Sequence, residues 1–119
     1  MKDMVAELPG LDRIRKRFIE MLGERQAQIA NHGLAAWDGV TLEDINGNLA
    51  AAQAILHQIA GSAGSLGFHE LGQAARACEA EILEHLDGPD ADLAICPGEM
   101  IFHLDSFVAQ CRTEIENNS

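Results

Sequence analysis

The chain has 119 residues, enough for one domain that buries a moderate core without disulfides or metals. Eight basic residues against nineteen acidic ones give a formal charge of −11, which excludes a nucleic-acid binder and disfavours an anionic membrane surface. Hydrophobic residues make up 47%, much of it Ala, while aromatics are only 4%, so the composition indicates an all-α protein rather than a sheet.

Helical periodicity marks four segments. The first runs from about Leu11 to Ala30, with Leu11, Ile14, Phe18, Met21/Leu22 and Ile29 on one face and Asn31-His32-Gly33 as its stop. Met1–Leu8 ahead of it leaves room for a short extra turn or helix. A connection of about eight residues containing Trp37-Asp38-Gly39 leads to a second helix near Thr41, where Thr41 and Asp44 form a capping pattern.

Along the second helix, Ile45, Leu49, Ala52, Leu56, Ile59, Ala63 and Leu66 step by 4, 3, 4, 3, 4 and 3, an unbroken apolar seam, and Gly67 stands at its end. The third helix spans about His69 to Leu86, with Leu71, Ala75, Cys78, Ile82 and Leu86 inward and Gly88-Pro89 ending it. Asp90–Cys96 reads as a loop, and Pro97 suits the first turn of the fourth helix, whose stripe is Ile101, Leu104, Val108, Cys111 and Ile115. Four amphipathic helices with short connections predict an antiparallel up-and-down four-helix bundle occupying residues 1–119 as a single domain.

Cys78, Cys96 and Cys111 have no paired spacing; Cys78 and Cys111 fall on apolar stripes and read as core. Met1 to Leu8 lacks an apolar run long enough for a signal peptide and no stretch could span a bilayer, so a cytoplasmic location is the expectation, with a monomer as the default state. The histidines at 32, 69, 85 and 103 lie on different segments without HExxH or Glu-x-x-His spacing, so no metal site is expected; Glu81/His85 and Glu99/His103, four apart, read as surface pairs.

One stripe breaks the pattern. Ala50, Ala54, His57, Gly61 and Gly64 step by 4, 3, 4 and 3, one residue displaced from the buried seam. An outer helix face normally carries Lys, Glu, Gln or Arg. Here one imidazole stands on a face of small residues. Each helical glycine costs about 1 kcal/mol relative to alanine, so something must approach closely. Either another helix of the bundle packs there, with His57 as a satisfied boundary residue, or a separate protein docks.

The string His57-Gln58-Ile59-Ala60-Gly61-Ser62-Ala63-Gly64-Ser65-Leu66-Gly67 resembles the signature of histidine-phosphotransfer (HPt) domains: a His, an apolar residue two on, Gly four on, a small run, then Leu-Gly. Phe68, Leu71 and Glu79 suit the family's continuation, and beyond residues 54–83 the likeness is architectural. The resemblance implies that His57 is the phosphorylated nucleophile and that Glu79 orients its ring. It implies docking of a response-regulator receiver domain, or of a hybrid histidine kinase, over Ala54, Ala60, Gly61 and Gly64. The family commonly has Lys three residues after the His; Ala60 stands there instead, which leaves Arg76 as a candidate phosphate contact.

No GxxxxGK[ST] loop or kinase-type nucleotide motif occurs, so the chain is expected to be a phosphocarrier without ATP-dependent kinase activity and without a cofactor of its own, Mg²⁺ being expected on the receiver. Leu34 and Trp37 are candidates for an apolar docking rim. The alternatives are an HPt-like adaptor that binds a receiver or kinase without carrying phosphate, and a metal- or ligand-binding bundle.

Overall fold

The computed structural model describes residues 10–118. These form four α-helices: α1 (Leu11–Trp37), α2 (Leu42–Ala63), α3 (His69–Leu86) and α4 (Gly98–Asn117), with short 3₁₀ turns at Gly64–Leu66 and Pro89–Asp92. There is no strand among the described residues. Helix α1 packs on α2 and α4, and α3 packs on the same two, which closes an antiparallel four-helix bundle. The segment Met1–Leu8, where sequence left room for an extra helix, lies outside the described residues.

The α2 seam is the centre of the core. Ile45 and Leu49, then Ala52, Leu56, Ile59 and Ala63, are all buried, and Leu66 packs against them at the end. Leu71, Ala75, Cys78 and Ile82 meet them from α3, while Leu104, Val108 and Cys111 do so from α4. Thr41 caps α2 as its spacing predicts, its Oγ1 accepting the Asp44 N–H at 3.0 Å.

Helix α1 departs from expectation. Asn31-His32-Gly33 does not stop it; the helix continues to Trp37, and only Asp38–Thr41 connect it to α2. The cause is tertiary. Gly33 is buried facing Leu104, where an added Cβ would stand 3.8 Å from Leu104 Cδ1. His32 Nδ1 bonds Asn48 Oδ1 of α2 at 2.9 Å, and Ala36 is buried beyond them. Packing of these added residues, about two turns, outweighs weak local stop signals. Ile14, expected on the inner face, is 54% exposed, and the core is reached through Phe18, Ile19 and Leu22. Pro97 is the N-cap of α4, one residue ahead of its first turn.

The end of α2 positions the rest of the small-residue run. Gly67 adopts φ +94°, its N–H bonds Gly64 O at 3.2 Å, and the Phe68 N–H bonds Ala63 O at 2.8 Å. These paired reverse bonds form a Schellman motif, for which a left-handed glycine is favoured. Arg15 of α1 donates from Nε to Leu66 O at 3.0 Å, and Phe18 stacks on Phe68 with ring centroids 5.2 Å apart. The Leu66-Gly67 pair is thus the corner that turns the chain from α2 into α3.

Candidate functional site

His57 sits in the C-terminal half of α2. Its neighbours Leu56 and Ile59 are fully buried, so the backbone that carries the imidazole is held on both sides. The imidazole itself points outward, its side chain 74% exposed. Its stripe behaves as the spacing predicts: Ala50, Ala54 and Gly61 are exposed and Gly64 is half-buried.

Glu79 reaches His57 from α3. Its Oε2 lies 2.8 Å from His57 Nδ1, and its side chain is only 13% exposed. The same oxygen lies 2.7 Å from Gln53 Nε2, which comes from α2 one turn before the histidine. An ionised carboxylate only accepts hydrogen bonds. With a neutral ring against an ionised Glu79, Nδ1 carries the proton and donates, which leaves the lone pair on Nε2. Among the described residues no protein group bonds that second nitrogen. The arrangement is an exposed imidazole held at Nδ1, with Nε2 turned away from its anchor.

A shallow open groove between α2 and α3 is lined by His57, Ala60, Gly61, Arg76, Glu79, Ala80 and Leu83. Arg76 is exposed, and its spacing from Glu79, Ala80 and Leu83 places all four on one face of α3. Ala60, one of the residues expected at the docking surface, is 4% exposed and contributes to the floor of this groove rather than to its rim. Leu34 and Trp37 are exposed at the far end of α1, beside the start of α2. The His32–Asn48 contact sets that end roughly 14 Å along α2 from His57, at 1.5 Å per residue.

The glycines separate the two explanations for the bare stripe. A Cβ added at Gly61 or at Gly64 would meet nothing within 4 Å. No other helix of the bundle needs that space. The close approach of α3 to α2 is made by Gly72 instead, where a Cβ would stand 3.3 Å from Gly64 N.

A second His–Glu pair exists on the next face. His103 Nδ1 of α4 lies 2.8 Å from Glu81 Oε1 of α3, again 22 residues apart. Sequence spacing paired Glu81 with His85 and Glu99 with His103 along their own helices; the contact across helices replaces the Glu81/His85 pairing. The His103 pKa is raised, first by the Glu81 hydrogen bond, then by the charge of Glu81, with a further contribution from Glu99. Ligand atoms of Glu81, Glu99 and His103 lie within 4.8 Å of one another, the one such group among the described residues. Two carboxylates stand beside His103, whereas His57 has one, Glu79, and shares its groove with Arg76.

Gln53 was not singled out by sequence reasoning. The available signal was its position four residues before His57, on the same face, but a polar residue on a helix surface ordinarily reads as solvated.

Comparison with curated proteins and with solved structures returned no match. A scan against family models matched the Hpt domain over residues 13–117. That match spans all four helices and both members of the His57–Glu79 pair, so the chain belongs to the Hpt domain family, the histidine-phosphotransfer modules of phosphorelays.

Proposed function

We propose that His57 accepts a phosphoryl group from a receiver-domain aspartate and passes it to another, so that the chain is the intermediate of a phosphorelay. The observation that carries this reading is the oriented imidazole: Nδ1–H held by Glu79 at 2.8 Å, Nε2 free, on a face whose glycines the fold does not need. The Nε2 lone pair attacks the phosphorus of the aspartyl phosphate. The N–P bond forms, the acyl P–O bond breaks, and the carboxylate leaves. The ring becomes cationic, and Glu79 stabilises that charge through the Nδ1–H it already holds. The next receiver's carboxylate reverses the sequence.

Positioning and charge neutralisation supply most of the catalysis of such transfers. The incoming receiver would bring Mg²⁺ and its own acidic pocket, and this chain brings the nucleophile and Arg76. A monomer suffices, because one exposed imidazole needs no second copy. No described helix is long and apolar enough to cross a membrane, and a cytoplasmic partner fits this reading. Ala60, in place of the family's usual Lys, favours a second reading, an adaptor that binds a receiver or kinase without carrying phosphate.

The two readings separate in one experiment. The protein and its His57→Gln variant are incubated with radiolabelled phosphorylated receivers. An acid-labile, base-stable adduct on wild type that is absent from the variant supports the relay. Stable receiver binding without label on wild type replaces it with the adaptor.

A further inference from the structure

We infer that Gln53 is a positioning residue of the His57 site, acting through Glu79; this rests on the relay reading above. Three observations carry it. Gln53 Nε2 and His57 Nδ1 meet the same atom, Glu79 Oε2, at 2.7 and 2.8 Å. Both donors rise from one helix, four residues apart, so α2 presents them as a rigid pair to a carboxylate from α3. Glu79 is largely enclosed while His57 is largely exposed, so the anchor of the imidazole is the buried member of the pair.

A carboxylate held by one donor rotates about its last bond and offers either oxygen. With two donors on one oxygen, rotation breaks two bonds together. The amide cannot be reversed in this role, because its oxygen would face a carboxylate that only accepts. Gln53 therefore fixes Glu79, Glu79 fixes the Nδ1–H tautomer, and the tautomer leaves the Nε2 lone pair available. Supporting partners of this kind alter the performance of the group they orient by about 10- to 100-fold in metal sites, and the same geometric logic applies to a nucleophile. A glutamine that merely covered surface would have no effect on the ring nitrogens.

The test uses the full chain and a Gln53→Met variant, which keeps side-chain length and removes the donor. Circular dichroism melts check that it folds. Long-range ¹⁵N–¹H NMR of His57 at pH 8 reports the tautomer in unphosphorylated protein, and labelled receivers report the transfer rate. The expected result is a mixed tautomer and transfer about tenfold slower, with no further loss when Gln53→Met is added to Glu79→Ala. A wild-type tautomer in Gln53→Met overturns the proposal, whatever the rate does. So do losses that multiply in the double variant, because they place Gln53 on a path that bypasses Glu79. If no receiver labels the wild type, it is the relay reading that fails, and the tautomer measurement still decides the role of Gln53.

Discussion

A Cβ on Gly72 would stand 3.3 Å from the backbone N of Gly64, yet a Cβ on Gly64 itself would meet nothing within 4 Å. The two glycines are neighbours with opposite reasons to be glycine. Gly72 is where α3 closes on α2. Gly64, like Gly61, faces open space and costs the fold stability without improving its packing. Opposite responses to the same substitution follow. Gly61→Ala should raise stability by up to about 1 kcal/mol, the helix-interior difference between the two residues. Gly72→Ala should lower it, because the obstacle is backbone and overpacking costs about 1–3 kcal/mol. Thermal melts of the two variants check the sign of each. Gly61→Lys should fold normally and, under the proposed relay, transfer phosphate poorly, since its side chain would stand over the face proposed for receiver docking.

Arg76 and Ala60 line one groove with His57, Arg76 from α3 and Ala60 from α2. If Arg76 supplies the charge that a lysine supplies elsewhere in the family, Arg76→Ala should slow labelling of His57 while changing stability by less than about 0.5 kcal/mol, the ordinary range for an exposed side chain. Ala60→Lys in that background should restore transfer. The long stem can follow the groove while its ammonium reaches solvent beside the imidazole. Rates from single-turnover labelling decide the point: an unchanged rate in Arg76→Ala removes this residue from the site.

Much of this architecture was legible because α2 carries two messages in adjacent registers. One stripe, Ile45 to Leu66, is apolar throughout and is buried or packed against the core; the next, Ala50 to Gly64, has small side chains and one imidazole, and it faces out. Periodicity reports such contrasts directly. It fails where a residue's partner lies on another helix. His32 and Gly33 read as a helix stop until Asn48 and Leu104 are beside them. Glu81 reads as a partner for His85, four residues on, until α4 brings His103 to 2.8 Å. Gln53 reads as solvated until Glu79 arrives from α3. His57 stood out from one helix and Glu79 from the family resemblance, whereas Gln53 required α3 beside α2.

The three thiols should differ sharply in reactivity. Burial raises the Cys78 pKa to about 11, with Glu81 adding to it, and raises that of Cys111 to about 12, with Cys78 and Glu114 adding. Cys96 is half-buried and its pKa is raised less far, by burial alone. The thiolate is the reactive species, so at pH 8 only about one part in a thousand of Cys78 is competent. A disulfide reagent at pH 8 should modify Cys96 first in the native protein and reach the other two only on unfolding. Mass spectrometry of digested samples across a time course reads the order, and early labelling of Cys111 would contradict the packing of α4 described above.

His103 provides the pH test. Its pKa stands above the ordinary 6.5, chiefly through the Glu81 hydrogen bond and then the charges of Glu81 and Glu99, with desolvation opposing. A histidine whose folded pKa is raised binds its proton more tightly in the folded state. Its stabilisation is therefore complete below about pH 6.5 and disappears as pH rises through the folded value. His103→Gln should lower the melting temperature at pH 5.5 and leave it unchanged at pH 9. The effect should be small and should shrink in high salt, because the pair is exposed. Following the His103 ring protons by NMR from pH 5 to 9 gives the midpoint itself. A midpoint at or below 6.5 would mean that the contact from α3 to α4 does not hold in solution, and the pH dependence of His103→Gln would vanish with it.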